Sequence, residues 1–334
     1  MKVLVAITSY KVTDLTIDCL RSLSGQISQV PGMKVAVCEN GTGGDALRQI
    51  RRAIDENGWN SWASLMAVYP NRGFTGGTNA AIRPAMDSDD PPEYVLLLNA
   101  DTIVNERSIS TLVAFMDSNP MTGIGASTLL SPDGEVQASP FRFPGIASEF
   151  DRGLRLGFVS KLLSPWAVVL PRPTEACQVD WAAGASLILR RTMLVQIGLL
   201  DEELYTYFDD IDLCIRALKA GWETWYVPES EVIHLEGAST GVATRLAARR
   251  RPSYWYQARH RCFVKNYGAF YTALADAAFI TGHILWRLRR RIQRLPDTDP
   301  PHMLMDAIRH SVFWLGPKVR VVENPALTQV SQRA

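Results

Sequence analysis

The stretch EYVLLLNADTIV, residues 93–104, changes character halfway along. From Tyr94 to Leu98 it is unbroken apolar or aromatic, and Asn99, Ala100, Asp101 and Thr102 follow at once. A continuous apolar run of this length, preceded by Pro91 and Pro92, reads as a strand covered on both faces, as in a parallel sheet. Ligands bind beyond the carboxyl ends of strands in open α/β sheets, so Asp101 stands where a metal or a polar substrate is expected. The same residue could instead cap the turn or helix that follows, since Asp is favoured there. The rest of the chain has to decide.

Toward the N-terminus, short β-rich runs alternate with amphipathic segments. Residues 3–7 read as a strand. Residues 13–24 carry Ile17, Leu20 and Leu23 on one helical face, with Thr13 as N-cap and Gly25 as stop. MKVAVCEN (33–40) is a second strand and 45–57 a second helix; SLMAVYP (64–70) is a third strand and 77–86 a third helix. Such alternation predicts βαβ units whose strand ends share one edge. Beyond Asp101, ERSISTLVAFMDSNP reads as a helix, TGIGASTLL as a strand and SPDGE as a turn. Residues 138–178 lack periodicity and are expected to form a long ordered loop over the sheet. VDWAAGASLILRR resumes as a strand, YFDDIDLCIRALKAG as a helix with acids in its first turn, and WETWYVPESEVIHLEG as short strands.

Composition narrows the class. The 334 residues, 47% of them hydrophobic, suffice for one large α/β domain with an appendage. Lys plus Arg (35) nearly balances Asp plus Glu (34), which gives no bulk signal for nucleic acid. Five scattered cysteines, never paired as CxxC, argue against a disulfide framework or a structural zinc site and favour a reducing cytosol. MKVLVAITSY is too short in its apolar run for a secretion signal and reads as the first strand.

Four polar clusters follow strand ends or loop tips. TSY (8–10) and CEN (38–40) could stack on and hydrogen-bond a nucleobase, or be ordinary turn chemistry. NRGFTGGTNAAI (71–82) has three glycines, Gly73, Gly76 and Gly77, that allow close backbone approach at a helix start, with Arg72 as a charge for a diphosphate. Its spacing fits neither the dinucleotide nor the P-loop pattern. In FDDIDLCIR (208–216), Asp209, Asp210 and Asp212 crowd one helical turn, which can raise a carboxylate pKa toward that of a general base. The fourth is His234; delivered beside Asp101, its imidazole would make with that carboxylate a site for Mn²⁺ or Mg²⁺.

In this order, TSY, EN, NRGFTGG, LLLNAD, DWAAGASLILRR, FDDIDLCIRALKAGW and VIHLEG resemble the family 2 glycosyltransferases of the GT-A fold, bacterial rhamnosyltransferase-like enzymes above all. The resemblance spans roughly residues 1–240. It implies a Rossmann-like, mostly parallel central sheet with helices on both faces, divided into a nucleotide-binding half (1–105) and an acceptor-binding half (106–240). A basic helical extension (241–334) follows. It implies an inverting, metal-dependent transfer from a nucleotide-diphosphate sugar, dTDP-rhamnose above others, to a glycan or polyprenyl-diphosphate-linked acceptor in surface polysaccharide synthesis. The donor would be held by Thr8, Tyr10, Glu39, Asn40, Asn71, Arg72, Gly73, Gly76, Asn79, Asn99 and Asp101. Asp101 and His234 would hold the metal, Asp210 would be the base with Asp209 beside it, and Trp181 and Gly184 would line the acceptor site. Asn99 stands at the first position of the DxD motif, and Glu39 and Asp209 replace the more usual Asp and Glu.

Two other classes remain open at this stage: a sugar nucleotidyltransferase, and a non-catalytic sugar-nucleotide-binding assembly protein. The run GAFYTALADAAFITGHILW (268–286), flanked by RLAARRRP and RLRRRIQR, is interrupted by Asp276 and His283. It reads better as an interfacial helix on the inner membrane face than as a spanning one, with a packed C-terminal helix as the alternative. A cytoplasmic, membrane-peripheral location is expected; no nucleic-acid partner is, and homo-oligomerisation is left open.

Overall fold

The computed structural model describes residues 1–137, 140–235 and 249–325. Residues 245–248, the start of RLAARRRP, the last residues of VIHLEG, and the boundary expected at 240 lie outside them. The first half alternates β1 (Val3–Ser9), α1 (Thr13–Ser24), β2 (Met33–Glu39), α2 (Ala46–Glu56), β3 (Ala63–Ala67), α3 (Gly73–Met86) and β4 (Tyr94–Asn99). Thr13 is the first helical residue of α1 rather than its cap, and Gly25 does end it. After β4 the chain turns through Ala100 and Asp101 into β5 (Thr102–Val104), then α4 (Ser108–Ser118) and β6 (Thr122–Leu130).

The segment expected as loop contains β7 (Pro140–Phe141), α5 (Ile146–Leu154) and α6 (Gly157–Leu162). The stretch read as one strand is three: β8 (Cys177–Val179), β9 (Trp181–Ala182) and β10 (Ser186–Arg190). Then come α7 (Arg191–Ile197), α8 (Asp209–Lys219) and β11 (Glu223–His234), the last a single bulged strand where several short ones were expected. The C-terminal part is α9 (Ser253–Gln293), α10 (Met303–Arg309) and α11 (Val312–Leu315).

The main sheet has the order β3-β2-β1-β4-β10-β6-β11-β5, with β8 also on β11. It is parallel from β3 to β4, as the alternation implies, and mixed beyond, because β10 runs antiparallel to both β4 and β6. The sheet is continuous across the expected division at 105/106, since β4 pairs with β10.

Strand periodicity builds two cores. Leu96 and Leu98 of β4 point with Val3, Val5 and Ile7 into one core, against α1, α2 and α4. Val95 and Leu97 point with Leu4 and Ala6 into the other, against α3, α7 and α8. That is why β4 shows no polar alternation: both of its faces are covered. A third, smaller core joins Ile211 and Ile215 of α8 to Ala258 and Cys262 of α9, so α9 is packed into the molecule.

At Gly268 the φ of 82° breaks α9 into two limbs. The distal limb crosses α5 so closely that a Cβ on Gly153 would lie 2.5 Å from the Phe279 carbonyl oxygen, and one on Gly282 2.6 Å from that of Phe150. Its outer side carries Phe270, Leu274, Leu285, Leu288 and Ile292 exposed, at the spacing of one helical face. No helix of the described residues is long and apolar enough to cross a membrane.

Candidate active site

A cleft of about 660 Å³ opens at the carboxyl ends of β1 and β4. It gathers Thr8, Asn99, Asp101 and His234 from strand ends, and Trp181, Gly184, Asp209 and Asp210 from the opposite wall. Asp101 lies in the turn between β4 and β5, and His234 is held beside it because β11 pairs with β5, His234 opposite Thr102. The two side chains face each other with His234 Nε2 3.5 Å from Asp101 Oδ1. Gln137 completes the arrangement: its Oε1 lies 3.2 Å from His234 Nδ1, and its Nε2 donates to the His234 carbonyl at 2.9 Å. With Nδ1–H donating to Gln137, the Nε2 lone pair faces Asp101, and the Asn99 amide is 3.3 Å from it.

A divalent ion fits this donor set. A buried carboxylate and an imidazole with its second nitrogen anchored to a carboxamide are hard and borderline ligands with the expected outer support. Among the described residues no third His, Cys, Asp or Glu joins them. The site therefore suits an ion that takes its remaining ligands from water and phosphate oxygens.

Asp209 and Asp210 begin α8, after Tyr207 and Phe208, both of which have left-handed backbones that swing the acids into the cleft. Asp210 Oδ2 accepts from the Gly184 N–H at 3.3 Å and Oδ1 from the Ile211 N–H at 2.8 Å. Gly184 thus orients the candidate base. Burial pushes both carboxyls above the usual carboxylate range, and for Asp209 the Asp210 charge adds to it. Asp212 has a different role: fully buried, it accepts from Arg216 Nε at 2.8 Å, Lys265 Nζ at 3.0 Å and Asn266 Nδ2 at 2.9 Å, tying α8 to α9. Trp181 stacks on Phe141 at 4.2 Å and donates from Nε1 to the Arg142 carbonyl.

The other residues expected around the donor form a second group at the start of α3, outside the cleft lining. Glu39 Oε1 accepts from the Thr42 N–H at 2.6 Å, beside the Tyr10 turn, whose Lys11 N–H donates to Thr42 Oγ1. Asn40 pins the NRG segment, donating to the Gly73 carbonyl at 2.8 Å and accepting from the Arg72 N–H at 3.0 Å. Asn71 Oδ1 accepts from the Gly73 N–H, while Asn79 bonds both ways to the Leu200 backbone. Arg72 donates to Glu202 Oε2 at 2.7 Å, and Arg83 donates to Glu202 Oε1.

The glycines serve close packing. A Cβ on Gly73 would lie 2.2 Å from the Tyr205 carbonyl oxygen, one on Gly76 2.7 Å from Arg72 Cβ and one on Gly77 2.6 Å from Thr8 Cγ2.

Sequence reasoning missed Gln137 and a cationic wall made of Arg152 on α5, Arg251, and Trp255 and Arg259 on α9. No local pattern marks a lone Gln in a turn, and the wall is assembled from segments about a hundred residues apart.

The family model described as "Glycosyltransferase like family 2" matches residues 2–253. The chain belongs to glycosyltransferase family 2. Within the family it is 30% identical over 209 residues to the N-acetylglucosaminyl-diphospho-decaprenol L-rhamnosyltransferase of Mycobacterium tuberculosis, covering 59% of this chain and 67% of the relative. To rhamnosyltransferase WbbL of Escherichia coli it is 29% identical over 168 residues, 48% of this chain and 60% of the relative. Solved structures at far lower identity share the fold. GalNAc-T7, crystallised with UDP, GalNAc and Mn²⁺, superposes with a TM-score of 0.58 at 14% identity, over 99% of this chain and 58% of that one. The mannosyltransferase PcManGT from Pyrobaculum calidifontis, in complex with GDP-Man and Mn²⁺, gives 0.51 at 14%, over 99% and 79%. The family 2 chain thus has the GT-A fold.

Proposed function

We propose that the protein is an inverting glycosyltransferase that moves a sugar, dTDP-rhamnose being the favoured donor, onto a polyprenyl-diphosphate-linked glycan. The observation that carries this reading is that one cleft is lined by Asp210, raised toward the range of a general base, and by the Asp101–His234 pair. The related rhamnosyltransferases support the donor and acceptor classes.

In the reaction, the Asp210 carboxylate takes the proton of the acceptor hydroxyl as that oxygen bonds to the anomeric carbon. The bond from that carbon to the diphosphate oxygen breaks, and its electron pair leaves with the nucleoside diphosphate. Asp101 and His234 would hold Mn²⁺ or Mg²⁺, which when bound supplies charge stabilisation to the departing diphosphate. Gly184 N–H keeps Asp210 aimed. Glu39 and Tyr10 are assigned to the base, with Asn40, Asn71, Arg72, Gly73, Gly76 and Asn79 as the frame behind the diphosphate. The residues before 241 form the catalytic unit, and α9 closes its cleft. The exposed apolar stripe of α9, next to Arg291 and Arg294, docks on an anionic bilayer from the cytoplasmic side.

The test is thermal-shift titration with dTDP, UDP, GDP and their sugars, with and without Mn²⁺, followed by transfer to a lipid-linked N-acetylglucosaminyl acceptor. Metal-dependent stabilisation by a thymidine nucleotide together with sugar transfer is expected; nucleotide binding without turnover on any acceptor sinks the enzymatic reading.

A further inference from the structure

The transfer chemistry leaves one wall of the cleft unused. Glu149 and Arg152 of α5 meet Arg259 of α9 there, with Arg251 two residues ahead of α9. Glu149 Oε2 accepts from Arg152 Nη2 at 2.6 Å and from Arg259 Nη2 at 2.8 Å, and Arg259 Nη1 donates to Asp276 Oδ1 at 2.6 Å. Despite its burial, the two guanidiniums hold the Glu149 carboxyl down to about 2. Arg152 and Arg259 are therefore balanced by two carboxylates.

Arg251 is left over. Its guanidinium lies over the Trp255 ring at 4.4 Å, and its buried Nη1 has no hydrogen-bond partner among the described residues. A half-buried cation with no ion-pair partner among the described residues is costly, and an arriving anion relieves that cost. A hole of about 10 Å³ lined by Arg152, Arg251 and Arg259 admits a single water molecule and no anion.

The position relative to the base is fixed by aromatic contacts. Trp255 packs edge-on against Phe208 with ring centroids 5.2 Å apart, and Phe208 immediately precedes Asp209. Through Phe208 the cationic wall is packed against the segment that opens α8 with Asp209 and Asp210, on an element separate from the strand ends that carry Asp101 and His234. An anion thus has two separate places in the cleft, one at Arg251 and, with a divalent ion held by Asp101 and His234, one at the strand ends.

We propose that Arg251, supported by Arg152 and Arg259, binds the diphosphate of the lipid-linked acceptor and so presents the acceptor's first sugar to Asp210. The proposal rests on the reading of this cleft as a glycosyl-transfer site. The Trp255 ring under Arg251 supplies a fluorescence signal for occupancy, and α9 leads from this wall to the exposed apolar stripe, as a lipid tail would require.

The experiment uses the full chain, with farnesyl diphosphate as probe, followed by tryptophan fluorescence and thermal shift. Inorganic pyrophosphate and farnesol are titrated in parallel, and nucleoside diphosphate with Mn²⁺ separately. Farnesyl diphosphate is expected to bind without competing with the nucleotide, and Arg251→Gln to weaken it by roughly ten- to a hundred-fold with nucleotide affinity unchanged. Arg251→Lys should recover part of the loss. Equal binding by Arg251→Gln, displacement of the probe by nucleotide, or pyrophosphate binding as well as the farnesyl compound would overturn the acceptor assignment. So would a wild-type chain that binds nucleotide but not the probe. Probe binding that depends on Arg251 in a chain that binds no nucleotide would uphold the anion site and sink the transfer reading on which its role depends.

Discussion

Burial keeps the Asp209 and Asp210 carboxyls protonated to higher pH than a free aspartate. Because their folded values lie above the unfolded value of about 3.9, the folded chain binds more protons, and the stability they contribute is full below that value and lost as pH rises through the folded range. Asp209→Asn removes the ionisation and should raise the melting temperature at about pH 8 while changing it little at about pH 5, as thermal unfolding at the two values will reveal. Asp210→Asn should keep nucleotide binding and lose transfer, and the acid limb of the wild-type rate profile should lie above the normal carboxylate range. At the other side of the cleft, Asp101→Ala and His234→Ala should abolish the metal dependence of nucleotide binding. Gln137→Leu should weaken metal affinity by about 10- to 100-fold in calorimetry, because the imidazole loses its anchor. Asp101, Asp210 and His234 stood out in the sequence as candidates because each follows or ends a strand or opens a helix, where the chemistry of the side chain is not needed for packing. Gln137 was not, since only the fold brings it to His234.

The strands explain both what could be read and what could not. The apolar run of β4 announces a doubly covered strand, and Leu97→Ala should cost about 2–5 kcal/mol in denaturant unfolding, as for other filled core positions. Strand direction has no such signature: nothing in SLILR marks β10 as antiparallel to β4. The two helices between 146 and 162 are 9 and 6 residues long, too short for a 3.6-residue period to emerge among prolines and arginines. The glycines of NRGFTGG were read for their ability to approach a ligand, and the approach they make is to Tyr205, Arg72 and Thr8. The small size was legible, and the protein atoms it lets close were not.

On the scale of the whole molecule, α9 serves two surfaces at once. Its proximal limb shares a core with Leu204 and Ile211, next to Asp210, so truncation before α9 would disturb the cleft as well as any lipid contact. Point changes separate the two: replacing Leu285, Leu288 and Ile292 by Gln should reduce sedimentation with anionic liposomes while leaving nucleotide affinity intact. Added salt should weaken whatever part of that binding is electrostatic. The crossing of α5 and α9 at Gly153 and Gly282 bears on how such a protein can diverge. The outward stripe can exchange one apolar residue for another without touching anything inside. The two glycines face each other's backbones, and a side chain at either forces the helices apart and shifts Arg152 and Arg259 with them. Chains of this architecture should therefore keep glycine at both places, since no change at one can make room for a side chain at the other.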